Sequence, residues 1–182
     1  MPATPHASHA PALPAARDAA TITVHHLNDS RSQRVLWLLE ELELPYTLCR
    51  YQRDPVTMLA PAALEAVHPL GKSPVISDGT VTLAESGAIV DYLIEHRGAG
   101  RLRPQSGTLE RIRYDYWLHF AEGSAMPPLI MRLVMDKVEE KSPWLVRPIA
   151  RAIARQVKAL VVTPNLDRQL AFMDRELRER GP

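Results

Sequence analysis

Hydrophobic positions change their period from one segment to the next along this chain. Ile22-Thr-Val-His-His-Leu27 is a short β-branched run and predicts a strand. Val35, Leu38, Leu39 and Leu42 then recur at the i, i+3, i+4, i+7 spacing of a helix that stops at Pro45. Tyr46-Thr-Leu-Cys-Arg-Tyr51 predicts a second strand, so residues 22–51 form a βαβ unit whose two strands run parallel because a helix makes the crossover. A helix over about 56–66 follows. Pro74-Val-Ile-Ser and Thr80-Val-Thr-Leu flank Asp78-Gly79, the pair that favours a tight hairpin, and a last helix carries Ile89, Val90, Leu93 and Ile94 up to Gly98.

After Arg101-Leu-Arg-Pro104 the strand period does not return. Helical patterning covers about 107–122, is kinked or broken by Gly123 and Pro127-Pro128, and continues to about 139. Beyond Ser142-Pro143, Val146, Ile149, Ile153, Val157, Leu160 and Val161 make one apolar face, with Arg147, Arg151, Arg155 and Lys158 opposite. Thr163-Pro164 reads as an N-cap and first helical position, starting a helix with Leu166, Leu170, Met173 and Leu177 inward. The expected division is a disordered Ala/Pro-rich tail over 1–20, a βαβαββα layer over 21–98, a linker over 99–106 and an all-helical segment over 107–182. Proline recurs too often in the tail for a helix or for the apolar core of a signal peptide, and its His6 and His9 read as solvated.

Composition narrows the function classes. The 182 residues, 46% hydrophobic and 24% charged, are those of a soluble globular chain of one or two domains. Twenty-two Lys+Arg against 21 Asp+Glu leave a formal +1, so no whole-protein field draws in nucleic acid or an anionic membrane. Cys49 is the one cysteine, which excludes an internal disulfide, a CxxC redox pair and a thiolate zinc cluster, and suits a reducing, cytoplasmic setting. No apolar run approaches the roughly 20 residues a membrane helix needs.

Candidate chemistry lies at the ends of the predicted strands. Ser30-Arg-Ser-Gln-Arg34 follows the first strand; Ser30-x-x-Gln33 is a capping-box pattern, in which the hydroxyl satisfies a helix amide. Glu85-Ser86 opens the last helix of the layer, where the serine reads as an N-cap and the glutamate as a solvated acid. His25 and His26 are adjacent on a strand, point to opposite faces and cannot share one ion, so no metal is expected. Cys49 reads as a core residue. The Arg147, Arg151, Arg155, Lys158 stripe reads as a solvated face.

Four local motifs in this order resemble the glutathione S-transferase superfamily, most of all its serine-type bacterial and fungal members: Ser30-Arg-Ser-Gln-Arg34, His68-Pro-Leu-Gly-Lys-Ser-Pro74, Asp78-Gly79 and Leu83-Ala-Glu-Ser-Gly-Ala-Ile89. The resemblance spans about residues 21–180. It implies a thioredoxin-like domain followed by a helical bundle, glutathione as co-substrate, and a small hydrophobic electrophile as second substrate. Ser30 becomes the candidate catalytic hydroxyl, with Ser32 as rival. Glu85 and Ser86 are implied to hold the γ-glutamyl end, and Pro74 to be the family's cis-proline, presenting the Ser73 main chain to the cysteinyl part. Lys72 and Arg53 are candidates for the glycyl carboxylate. Tyr116 and Phe120, at i, i+4 in the Tyr114, Tyr116, Trp117, Phe120 cluster, are candidates for the electrophile pocket.

The resemblance implies a detoxification transferase, performing conjugation or glutathione-dependent reduction. A non-catalytic binding or regulatory module of the same fold is the alternative, and a glutathione-dependent isomerase or dehalogenase a further one. Family members continue for several helices beyond the equivalent of Arg180-Gly-Pro182. The helical segment is therefore read as incomplete, its apolar faces needing cover from a second copy in a homodimer.

Overall fold

The computed structural model describes residues 21–180; the predicted tail, with His6 and His9, lies outside them. Two compact units divide the chain, one ending at Arg103 and the other beginning at Pro104.

In the first unit, β1 (Ile22–Leu27), α1 (Ser32–Glu41), β2 (Tyr46–Tyr51), α2 (Ala62–Glu65), β3 (Val75–Asp78), β4 (Val81–Ala84) and α3 (Ser86–Tyr92) give the βαβαββα order. The sheet runs β2-β1-β3-β4. β1 pairs with β2 in parallel from Ile22↔Tyr46 to Leu27↔Tyr51, as the helical crossover requires. β3 is antiparallel to β1 with His25 opposite Val75, and β4 is antiparallel to β3 with Val75 opposite Ala84. This is the thioredoxin-like layer that the resemblance implied.

Side chains alternate across the sheet, so Ile22, Val24 and His26 share one face of β1 and His25 the other. The first face meets α1, since His26 Nδ1 lies 2.7 Å from the Ser32 hydroxyl at the start of that helix. Ile22, Val24, Val35, Leu39, Ile76, Ile89 and Leu93 are wholly buried. α1 ends because Glu43 turns left-handed (φ 55). Its amide reaches the Glu40 carbonyl at 3.0 Å and that of Leu44 the Leu39 carbonyl at 2.9 Å, the two bonds of a Schellman end, before Pro45 prevents continuation.

Two elements of this unit differ from expectation. The hairpin loop is Gly79-Thr80 rather than Asp78-Gly79, because Asp78 is still paired with Val81 in the ladder and Gly79 takes the left-handed position (φ 57). The helix expected over 56–66 contracts to Ala62–Glu65. The Asp54 carboxylate accepts from the amides of Val56 and Thr57 at 2.9 and 2.7 Å, holding a turn there instead of a helix.

The second unit contains α4 (Leu109–Phe120), α5 (Met126–Lys141), α6 (Arg147–Val157) and α7 (Thr163–Arg180). Thr108 caps α4 by accepting from the Arg111 amide at 3.2 Å. Wide, π-type turns, Ala121–Ala125 and Lys158–Val162, carry α4 into α5 and α6 into α7. The break expected at Gly123 and Pro127-Pro128 is therefore a bulge, with the prolines in the first turn of α5. Thr163 is itself helical (φ −60, ψ −49), not an N-cap. A wide turn ahead of each proline absorbs the missing N–H and the ring's clash with the preceding carbonyl.

Only part of the expected inward faces is inward. Leu166 is buried, but Leu170 and Leu177 are exposed, as are Ile149, Ile153 and Leu160. Among the described residues no helix is long and apolar enough to cross a membrane.

Candidate functional site at one end of the sheet

Topology gathers the candidate residues of the first unit. β1 and β2 are parallel, so the loop after Leu27 and the segment after Tyr51 leave the sheet at the same end. β3 starts there and β4 finishes there, since each is antiparallel to its neighbour. Ser30, Arg53, the Ser73-Pro74 step and Glu85-Ser86 therefore all belong to that end.

Ser30 sits in the turn between β1 and α1, half-buried, behind Asp29, which is held left-handed (φ 51). Its hydroxyl lies 2.8 Å from that of Ser32 and 3.3 Å from that of Ser73. The capping box does not form: the N-cap position of α1 is Arg31, without a side-chain cap, and the Ser30 oxygen meets the Ser32 amide at 3.4 Å. Ser32, the rival, is wholly buried and hydrogen-bonded to His26. Of the two hydroxyls, Ser30's is the accessible one.

The Ser73-Pro74 peptide is cis, and Pro74 is buried. Sequence reasoning gave Ser73 a main-chain part only, yet its side chain is engaged. The hydroxyl donates to the His25 carbonyl at 2.8 Å and accepts from the Leu27 amide at 3.3 Å, bonding to β1 just past the point where the β3 ladder ends.

Arg53 differs from its expected part as an anion ligand. Its Nε donates to the Asn28 carbonyl at 3.0 Å, one terminal nitrogen to that of Met58 at 2.9 Å and the other to that of Asp29 at 3.4 Å, while its amide donates to Asn28 Oδ1 at 2.7 Å. The guanidinium is turned onto main-chain carbonyls and braces the loop that carries Ser30. Lys72 is exposed.

Glu85 and Ser86 carry the clearest sign of a ligand. Glu85 occupies φ 73, ψ 122, a conformation that costs a non-glycine residue about 1–3 kcal/mol and persists where surroundings impose it. Ser86 is not the N-cap but the first helical residue, 6% exposed, and its hydroxyl is buried without a hydrogen-bond partner. A buried hydroxyl left unpaired costs about 1–3 kcal/mol, so such a group in a native fold calls for an explanation.

The opposite face of the sheet holds a second polar group of residues. Burial lowers the His25 imidazole's affinity for a proton; its Nδ1 lies 3.0 Å from the Tyr51 hydroxyl and its Nε2 3.0 Å from that of Ser77. Hydrogen bonding to Cys49, with burial, pushes the Tyr51 phenol up to about 12. Cys49 is half-buried on an edge strand rather than in the core.

In the second unit, Tyr116 and Phe120 stack on each other, with centroids 5.9 Å apart, and join Trp117 and Phe172 in one cluster between α4 and α7. Phe172 was not foreseen; it supplies the α7 side of that cluster. A cavity of about 390 Å³ beside it is lined by Tyr114 and Trp117, with Met173 and Leu177, rather than by Tyr116 or Phe120.

Known proteins agree with this architecture. Residues 30–96 match the family model described as the glutathione S-transferase N-terminal domain. The chain is 35% identical over 156 residues to glutathione S-transferase 3 of Schizosaccharomyces pombe, covering 86% of this chain and 64% of that protein. It is 31% identical over 163 residues to glutathione S-transferase 1 of Saccharomyces cerevisiae, covering 86% and 69%. Among solved structures, a glutathione S-transferase of Actinobacillus pleuropneumoniae is similar at 32% identity with TM-score 0.56, covering 78% of this chain and 64% of that one. A theta-class enzyme of Xanthomonas axonopodis pv. citri, solved with glutathione bound, is similar at 26% identity with TM-score 0.64, covering 87% and 70%. The chain thus spans about two thirds of the length of these relatives. Fold, motif order and the relatives in two yeasts together establish that the chain belongs to the glutathione S-transferase family.

Proposed function

We propose that this chain binds glutathione at the strand-end site and activates its thiol for attack on small hydrophobic electrophiles. The observation that carries the reading is the buried, unpartnered hydroxyl of Ser86 beneath a left-handed Glu85. A carboxylate is the acceptor that such a hydroxyl lacks, and Glu85, exposed beside it, is free to face an ammonium group. The γ-glutamyl end of glutathione carries both. The Ser73 main chain faces the cysteinyl part, and Lys72 the glycyl carboxylate. Arg53 acts on the site through the Asn28–Asp29 loop.

Ser30 is the thiol's partner in this reading. A free thiol has a pKa of about 8.5, and lowering it by about two units corresponds to about 2.7 kcal/mol of selective stabilisation of the anion. One donated hydroxyl bond supplies part of that, and the positive end of α1 adds to it. In conjugation the thiolate forms a carbon–sulfur bond to an aryl or alkyl carbon, the carbon–halogen bond breaks, halide leaves, and the thiol proton goes to solvent. Ser30 stabilises the anion and takes no proton.

The uncovered apolar helical faces support a homodimer, and the lone half-buried cysteine suits a reducing cytoplasm. Those same faces are also what a binding module of this fold would present. Titration calorimetry separates the two readings. Glutathione binding in the micromolar to millimolar range, weakened about tenfold or more in Ser86→Ala and Glu85→Ala, supports the transferase. Ser30→Ala should then lower turnover of a model aryl halide at least about tenfold with affinity little changed. No binding of glutathione to the wild type rejects the transferase in favour of the binding module.

A further inference from the structure

Behind Ser30 runs a chain of hydrogen bonds whose direction can be worked out by counting protons. Ser73 gives its one hydroxyl proton to the His25 carbonyl at 2.8 Å, so toward Ser30, 3.3 Å away, it can only accept. Ser30 therefore points its proton outward, toward Ser73. Its oxygen accepts from the inside, from the Ser32 hydroxyl at 2.8 Å and the Ser32 amide at 3.4 Å. Ser32, having given its proton to Ser30, must itself accept at 2.7 Å from His26, whose Nδ1 then carries a hydrogen. The order is His26 Nδ1–H to Ser32, Ser32 to Ser30, and Ser30 outward.

The opposite order leaves the 3.3 Å contact between Ser30 and Ser73 without a hydrogen, and it is chemically inverted. With Nδ1 bare, Ser32 donates to His26, Ser30 donates to Ser32, and Ser30 turns lone pairs rather than a proton toward the site. A thiolate would be repelled by the very hydroxyl meant to hold it. The outermost link of the first order, Ser30 to Ser73 at 3.3 Å, is also the longest, and so the one most readily exchanged for an anion. Ser32 is wholly buried, so water does not reset the relay from inside.

We infer that His26 is a positioning residue for the thiol chemistry: protonated on Nδ1 and acting through Ser32, it holds Ser30 as an outward donor. The inference rests on the glutathione reading of Ser30. It also gives both adjacent histidines distinct work without a shared ion, His25 bonding Tyr51 and Ser77 on the other face of the sheet.

Two measurements test it. Nitrogen-15 correlation spectra of the ligand-free wild type read the His26 imidazole directly: a hydrogen on Nδ1 is expected, and a bare Nδ1 overturns the inference whether or not glutathione binds. With glutathione saturating, the ultraviolet absorbance of its thiolate against pH gives the bound thiol's pKa. His26→Leu and Ser32→Ala should each raise it by about half a unit to one unit and slow turnover about three- to tenfold, with glutathione affinity within about twofold. His26→Asn, which keeps an N–H near the Nδ1 position, should recover most of the loss, and in a Ser30→Ala background His26→Leu should add nothing further. An unshifted thiol in folded His26→Leu, or an undiminished effect without Ser30, refutes the relay; if His26→Leu does not fold, Ser32→Ala carries the same comparison. Failure of the wild type to bind glutathione or to acidify its thiol instead removes the reading of Ser30 on which the relay rests.

Discussion

Both units of this chain carry apolar stripes in sequence, and they are very differently closed in structure. The α/β unit turns its apolar positions onto one another, so that Ile22, Val24, Leu39, Ile76, Ile89 and Leu93 are wholly buried. Among the described residues of the helical unit the buried apolar ones are Ala154, Val162 and Leu166, while Ile149 remains 64% exposed and Leu160 67%. A sheet with helices on its face brings the partner of each apolar stripe with it. A helix stripe names a face without saying what will cover it. The residues of the proposed glutathione site stand on the closed unit, where strand ends hold them in register.

The largest expected effect tests that contrast directly. Leu39→Ala or Ile76→Ala removes wholly buried methyl groups and should lower unfolding free energy by about 2–5 kcal/mol in urea titrations. Ile149→Ala, on the open face, should stay within about 0.5 kcal/mol. A cost above about 1.5 kcal/mol for Ile149→Ala, especially one that grows with protein concentration, breaks the comparison by revealing that a second copy covers the face in solution.

Next in size is the join between α3 and the hairpin. Asp78, 4% exposed, accepts from the Tyr92 hydroxyl at 2.9 Å and pairs with Arg97 at 3.4 Å. Asp78→Asn should cost about 2–3 kcal/mol, since it withdraws a charged acceptor from two donors. Burial first, and then the Asp78 carboxylate, push the Tyr92 phenol from 10.0 up to about 12. The folded pKa lies above the unfolded one, so the stabilisation is whole below about 10 and is lost as pH rises toward about 12. Melting curves between those limits should fall more steeply for wild type than for Tyr92→Phe; parallel curves would remove Tyr92 from the alkaline transition.

A smaller cost is expected at Gly98, buried where the wide turn Leu93–Arg97 closes on the Leu93 carbonyl at 2.7 Å. An added Cβ would come within 2.9 Å of a Leu42 methyl and 3.2 Å of the Ile94 carbonyl. The methyl can swing away and the carbonyl cannot, so Gly98→Ala should cost about 1–2 kcal/mol by the same titration. Gly123, with open space around its Cβ position, is the matching change in the helical unit and should be nearly silent.

What the sequence made legible follows the same division. The parallel β1–β2 crossover, the antiparallel β3–β4 hairpin and the helix onset at Glu85-Ser86 are consequences of local period and turn chemistry, and they could be read. The hairpin loop slipped by one residue because Asp78 is kept in the ladder by Tyr92 and Arg97, partners that no local pattern announces. Thr163-Pro164 misled because a wide turn makes proline compatible with a continuous helix. At the site, spacing alone read Ser30 and Ser86 as helix caps and the family resemblance pointed to them as functional, but neither pointed to the hydroxyl of Ser73, the brace of Arg53 or the bond from His26 to Ser32. Strand alternation did contain one usable signal, since it puts His26 on the face that meets α1.

The smallest effect concerns what holds the helical unit together in the absence of a large aliphatic core. Phe172 on α7 lies 5.5 Å from Trp117 and 5.8 Å from Phe120 on α4, centroid to centroid, and Tyr116 completes the group. Aromatic pairs contribute about 0.5–1.5 kcal/mol beyond the area they bury. Leucine keeps most of the apolar volume of Phe172 and removes the ring geometry, so Phe172→Leu should cost about 1 kcal/mol. It should also alter the near-ultraviolet circular dichroism that Trp117 acquires from a fixed environment. The far-ultraviolet spectrum should not move, because α4 and α7 retain their own backbone ladders. If the near-ultraviolet signal is unchanged and the cost negligible, the aromatic cluster is not the anchor of this unit. Its order would then have to come from the faces that stand open in the single chain.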